Sequence, residues 1–338
     1  MSRAQKFRVI SFIMIAIVAI ALVFVLVDDD NTSREYDYDE SLPYTDTANW
    51  MGYLSDDIYL SEITIPGTHD SCSENVALGY VMRCQNTSIS EQLDNGYRYL
   101  DLRIAIDSSE DGEQLKLVHN FVNCHEDASL FSDYLYIDDV TTSIYDFLDE
   151  HPQETVIVNF KIEDDEHSVS EIQELLVREI REHTDYWYTE NSIPTLEEVR
   201  GKIVLMTRFE DEAETGMTGI QLIWEEQNNK DIVDIPYDLY VTDSCRFWVQ
   251  DRYKYAVDEK YEAIVDGLEN CEADENTFFL NFTSTSGNGI IGHPKGYANK
   301  INGFLMDYDF KENIGYGIII VDYGNEELAR HIYLSNSF

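Results

Sequence analysis

Seven short runs rich in β-branched and aromatic residues recur from Tyr59 onward: YLSEITIPG, YRYLDLRIAI, LKLVH, ETVIVNFKI, KIVLMTRF, TFFLNFTS and YGIIIVDY. Amphipathic stretches of helical period, such as VSEIQELLVREIREH, lie between several of them. Strand-like runs alternating with helix-like ones predict the α/β class, with a mostly parallel sheet arranged as a barrel or in layers. A chain of 338 residues that is 43% hydrophobic can fill the core of one large barrel or of two small domains. The unusual polar residues fall at the C-terminal ends of the runs, where barrel proteins build their sites. No internal repeat or low-complexity block interrupts the pattern.

Residues 9–27, VISFIMIAIVAIALVFVLV, form one uninterrupted apolar run. As a helix such a run crosses a hydrocarbon core of about 30 Å. Arg3, Lys6 and Arg8 precede it and Asp28, Asp29 and Asp30 follow it. The positive-inside rule therefore keeps residues 1–8 cytoplasmic and exports everything after residue 27. No small-x-small cleavage site closes the run, so an uncleaved signal anchor in the cell membrane is expected, with secretion after signal cleavage as the alternative. Residues 28–48, rich in Asp, Ser, Thr and Tyr without apolar period, read as an acidic linker. Residues 49–338 then form a single folded domain outside the cell, beginning near Trp50.

Acidic residues number 66 against 23 basic ones, a formal charge of -43, which repels a phosphate backbone and excludes nucleic acid as a partner. The same charge opposes docking on anionic lipid unless salt is high or the contact is apolar. Adaptation to brine and simple solubilisation of an ectodomain both produce such a balance. The five cysteines, Cys72, Cys84, Cys124, Cys245 and Cys271, lack zinc-type spacing. Export permits disulfides, an odd number leaves at least one thiol unpaired, and no pairing follows from sequence. No protein partner is expected.

Four motifs carry chemistry. IPGTHDS delivers His69 and Asp70 on a Pro-Gly turn at a strand end. In YRYLDLR, strand alternation puts Asp101 and Arg103 on one face, and two opposite charges on a buried face need a reason. LKLVHN ends an apolar strand at His119, and ETVIVNFK ends another at Lys161. Four strands thus aim polar groups at one rim. His125, His151, His167, His183, His293 and His331 lie outside these motifs and read as surface or loop residues.

The order THDS, DLR, VHN, HPQETVIVNFK, GKIVLMTRF, VQDRY, FFLNFTSTSG and VDY resembles the bacterial phosphatidylinositol-specific phospholipase C family, from about Leu54 to the C-terminus. The resemblance implies a distorted, incompletely closed TIM-like (βα) barrel, phosphatidylinositol or a related phospholipid at a membrane surface as substrate, and no metal or other cofactor. It implies His69 as general base oriented by Asp322, and His119 as general acid with Asp70 as its partner. Arg103 is the implied phosphate ligand, Asp101 a supporting carboxylate, and Lys161, Arg208, Asp251 and Tyr253 the residues that hold and stack on the inositol ring. Where calcium-dependent relatives place acidic ligands, this chain has Arg103 and Lys161. Where secreted relatives expose tryptophans to lipid, it has ALGYVMRC and SGNGIIGHP, leaving Tyr80, Val81, Ile290 and Ile291 as weaker apolar contacts or as buried residues. The Asn281 sequon falls within an expected strand and reads as structural.

Overall fold

Alternation along each strand divides the apolar side chains between an inner core and an outer one. On β2 (Tyr99–Ser109), Leu100, Leu102 and Ile104 pack outward with Ile144, Leu148, Ile172 and Leu176 of the helices Ile137–Glu150 and Val169–Glu182. Tyr99 faces the opposite way, into a cluster with Ile157, Val204, Phe247, Phe278 and Ile318, one residue from each of five other strands. A third cluster joins Phe279, Ile319 and Val321 to the helices Val257–Asn270, Pro294–Asp307 and Glu326–Tyr333. Each such fully buried aliphatic or aromatic side chain contributes about 1.5–3 kcal/mol.

The computed structural model describes residues 42–109, 112–129, 132–289 and 292–338. The expected anchor at 9–27, the segment 1–8, most of the expected linker, and Ile290 and Ile291 lie outside the described residues. Among the described residues no helix is long and apolar enough to cross a membrane.

The remaining strands are β1 (Ile65–Thr68), β3 (Gly112–His119), β4 (Val122–Asn123), β5 (Val156–Ile162), β6 (Trp187–Tyr188), β7 (Ile203–Thr207), β8 (Ile220–Gln221), β9 (Asp238–Val241), β10 (Arg246–Gln250), β11 (Thr277–Phe282) and β12 (Ile318–Val321). Their order is β6-β7-β5-β2-β1-β12-β11-β10-β9, with β8 on β7 and β3 on β2. Every neighbouring pair from β6 to β10 is parallel. β9 is antiparallel on β10, and among the described residues the path does not close. Across the gap, Gln221 donates its backbone N–H to Ser244 Oγ at 3.0 Å, and Trp224 donates its indole N–H to Asp251 Oδ2 at 3.3 Å.

Two expectations need correction. LKLVH is not a parallel strand of the wall: β3 runs antiparallel to β2, pairing Leu117 with Ile104, because only two residues of sequence separate the two. The fold also begins before Trp50. Thr45 and Thr47 are buried, Tyr44 stacks on Phe338 with ring centroids 4.4 Å apart, and Thr47 Oγ1 donates to Asp94 O at 2.7 Å. Hydroxyls, aromatic rings and backbone carbonyls hold this segment, so its lack of apolar period hid it.

Side chains facing inward change from apolar to polar toward the C-terminal ends of the strands. The series Ile157–Asn159–Lys161, Val204–Met206–Arg208, Phe247–Val249–Asp251 and Ile318–Ile320–Asp322 all follow this gradient. Gly67 is needed on β1, since a Cβ there would stand 2.8 Å from the ring of Tyr99, whose hydroxyl accepts a hydrogen bond from Asn159 Nδ2 at 2.8 Å. The result is an apolar floor under a charged mouth.

Candidate active site

His69 leaves β1 with its backbone N–H still donating to Val321 O at 3.0 Å, so the β1–β12 ladder fixes its position. Asp70 then adopts the left-handed region at φ 44°, which a short polar side chain tolerates better than a branched one. Buried Gln85 locks the turn by donating to His69 O at 2.9 Å and Val321 O at 2.8 Å, and Ser71 N–H donates to Asp101 O at 3.0 Å. His119 arrives separately, from the end of β3.

The two imidazoles meet at one carboxylate oxygen. Asp70 Oδ2 lies 3.2 Å from His69 Nε2 and 3.1 Å from His119 Nε2. Sequence assigned Asp70 to His119 alone; the structure makes it common to both. His69 Nδ1 is 2.8 Å from Asp322 Oδ1, and His119 Nδ1 is 2.6 Å from Met82 O. Each nitrogen of His119 therefore faces an oxygen acceptor. Arg103 sits beneath, with Nε 2.6 Å from Asp70 Oδ1, Nη2 3.2 Å from Asp101 Oδ2 and Nη1 2.8 Å from Glu163 Oε1.

Burial depresses the pKa of His69, but Asp70 and Asp322 outweigh it, and Arg103 opposes them less, so the imidazole is held at about 9. Arg103 Nη2, 2.9 Å from His69 Nε2, favours the neutral ring, whereas the Asp70 carboxylate favours the charged one. The two carboxylates outnumber the guanidinium, and the balance favours the protonated ring. Burial works against the Asp101 carboxylate, yet Arg103 overcomes it and holds its pKa below the ordinary range.

These groups open into a cavity of about 680 Å³. One wall carries the four residues expected to hold the ring. Lys161 Nζ lies 3.1 Å from Glu163 Oε1 and 3.4 Å from Glu226 Oε1. Tyr253 donates its hydroxyl to Glu226 Oε2 at 2.8 Å, and the Arg208 guanidinium stands 3.4 Å from the ring centroid of Trp224, whose N–H reaches Asp251. Glu163, Glu226 and Trp224 were missed in the sequence. Glu163 was legible, since Asn159, Lys161 and Glu163 alternate on one face; Trp224 and Glu226 lie in irregular chain with no periodic signal.

Other residues fall outside this cluster. His293 caps the helix Pro294–Asp307 by accepting from Gly296 N–H and packs on Tyr80, with centroids 4.4 Å apart. His331 is in the helix Glu326–Tyr333 rather than in a loop, with Nε2 3.0 Å from Tyr308 O. Asn281 is fully buried and donates to Ile264 O at 3.0 Å, a structural role. Val81 lines the cavity, while Leu78 is the exposed apolar residue of that corner at 65%. All five cysteines are buried free thiols.

The model for the phosphatidylinositol-specific phospholipase C X domain matches residues 63–209, which include both histidines and Arg103. The 1-phosphatidylinositol phosphodiesterase of Listeria monocytogenes is 28% identical over 310 residues, covering 86% of each chain. Its Staphylococcus aureus namesake is 27% identical over 315 residues, 85% of this chain and 94% of the relative. Among solved structures, the S. aureus phosphatidylinositol-specific phospholipase C superposes with TM-score 0.72 at 24% identity, over 87% of this chain and 98% of that one. The L. monocytogenes enzyme gives 0.62 at 26% identity, over 86% and 99%. Sequence match and shared fold coincide on the segment that builds the two-histidine centre, and residues 63–209 of this chain form a phosphatidylinositol-specific phospholipase C X domain.

Proposed function

We propose that this protein is a phosphatidylinositol-specific phospholipase C, which splits the glycerol–phosphate ester by attack of the inositol 2-hydroxyl and yields diacylglycerol and inositol 1,2-cyclic phosphate. The observation that carries this reading is the convergence of two imidazoles from separate strands on Asp70, with Arg103 on the same carboxylate. Such a reaction needs one group to remove the hydroxyl proton and another to protonate the departing glycerol oxygen. His69, oriented by Asp322, takes the first role, and His119, held between Met82 O and Asp70, takes the second.

Arg103 and, through Lys161, the neighbouring wall bring positive charge to the phosphoryl oxygens. A guanidinium there neutralises the charge that a calcium ion would otherwise meet, so calcium is not required. Lys161, Arg208, Asp251 and Tyr253 engage the ring hydroxyls, with Tyr253 offering an aromatic face. Asp101 supports Arg103 from below.

The apolar run at 9–27 and its flanking charges support a single-pass membrane anchor with the domain outside the cell. An anchored enzyme meets its lipid at high local concentration, which offsets the weak apolar rim.

The test is release of water-soluble phosphate by the full-length protein from mixed micelles of phosphatidylinositol, of a glycosylphosphatidylinositol, or of phosphatidylcholine. Cleavage of inositol lipids and not of phosphatidylcholine is expected. Equal cleavage of phosphatidylcholine, or none of any, would overturn the assignment.

A further inference from the structure

Cys84 closes the floor of the catalytic cavity. Its Sγ is 3.9 Å from Asp70 Oδ2, the oxygen that also stands 3.2 Å from His69 Nε2 and 3.1 Å from His119 Nε2. The sulfur, the Asp70 oxygen and the His69 nitrogen all lie within 4.8 Å of one another. A tetrahedral zinc ion, with bonds of about 2.0–2.3 Å, sets its ligand atoms about 3.3–3.6 Å apart. Closing this set to that spacing displaces Arg103 Nη2, which stands 2.9 Å from His69 Nε2.

We propose that the catalytic centre is a latent site for zinc or a similar borderline-soft divalent ion, ligated by His69, Asp70 and Cys84 with His119 as fourth donor, and that such an ion inhibits the enzyme reversibly. One sulfur, two imidazoles and a carboxylate form a zinc-type donor set, whereas calcium and magnesium prefer oxygen alone. The proposed acid–base reaction has no use for a thiol at this place. The local charge balance accepts a dication, since Asp70, Asp101 and Glu163 all pair with the one guanidinium of Arg103 and Asp322 adds a fourth carboxylate on His69. Zinc takes Asp70 Oδ2 and leaves Oδ1 to Arg103, which lies 2.6 Å from it. Binding displaces the thiol proton into solvent, so it strengthens as pH rises. Inhibition follows because both rings that move protons become ligands.

The inference rests on the donor geometry and not on the identity of the substrate, and its first readout is independent of turnover. Titrating the full-length protein with cobalt(II) is expected to produce a thiolate-to-cobalt charge-transfer band that zinc abolishes and that Cys84→Ser lacks. Zinc is expected to inhibit inositol-lipid cleavage where equal calcium or magnesium does not, and Cys84→Ser, with inhibition read against its own metal-free turnover, to need at least about tenfold more zinc. Should serine at this buried position impair folding, Cys84→Ala serves the same comparison, with circular dichroism as control. A protein without the band, a band that persists in the folded Cys84 variants, or unaltered zinc sensitivity in them would overturn the proposal. An inactive protein that still shows the Cys84-dependent band would sink the phospholipase reading and leave the metal site standing.

Discussion

Arg98, just before β2, and Arg103, within it, stand five residues apart, and they use the same guanidinium to opposite ends. Arg98, fully buried, pairs with Glu154 at 2.8 Å and donates to the carbonyls of Leu93, Tyr97, Thr47 and Ala48 at 2.6–3.0 Å. One positive charge meets one negative charge, and backbone oxygens take every other N–H. Arg103 meets three carboxylates and a histidine. Asp70 Oδ1, Asp101 Oδ1 and Arg103 Nε are buried without a well-aligned hydrogen bond, although Nε and Asp70 Oδ1 are only 2.6 Å apart; no atom of Arg98 or Glu154 shares that condition. The satisfied arginine is a staple tying residues 47–48 to the barrel. The crowded one sits in a surplus of acceptors that raises His69 and leaves its donors able to change partners when a phosphate arrives.

The contrast predicts two different failures. Arg98→Ala strands Glu154 as an uncompensated buried charge, and the expected loss is about 3–5 kcal/mol of folding stability in denaturant titration. At Arg103 the loss falls on turnover instead: Arg103→Lys keeps the charge but not the forked donors, and about 10²–10³-fold lower activity with a native circular dichroism spectrum is expected. Both variants failing in the same way would erase the distinction. His69→Ala and His119→Ala sharpen it further. Each is expected to fold and to lose about 10²–10⁴-fold in cleavage, and near-normal turnover in either folded variant removes that ring from the mechanism.

A smaller effect is set by pH. His69 has its pKa raised from 6.5 to about 9 by Asp70 and Asp322 in the face of burial. The stabilisation from its protonated form is full below the unfolded value and is lost as pH rises through about 9. Catalysis runs the other way, since a base must be neutral: kcat/KM should climb through the same interval, and Asp322→Asn should move its midpoint down. An unmoved midpoint would detach Asp322 from the base. The smallest effect is expected from calcium, where dialysis against a chelator leaves cleavage unchanged at constant ionic strength.

The functional residues were legible largely because chemistry at strand ends leaves a local trace. His69, Asp101, Arg103, His119 and Lys161 each terminate or alternate within an apolar run, and all line or support one cavity. What escaped was set by tertiary position. Glu226 and Trp224 belong to irregular chain brought over by the open side of the sheet, Met82 contributes only its carbonyl, and the Thr45–Ala48 segment is held by hydrogen bonds that no periodicity records. β3 looked like a wall strand because burial on one face reads alike in parallel and antiparallel pairs.

The central claim, that two histidines drive attack by the lipid's own hydroxyl, is tested most directly by phosphorus NMR of the first product formed in isotopically labelled water with a chelator present. The account predicts inositol 1,2-cyclic phosphate without solvent oxygen in the phosphate, appearing before any acyclic ester. Acyclic inositol phosphate carrying solvent oxygen from the first turnover would contradict it.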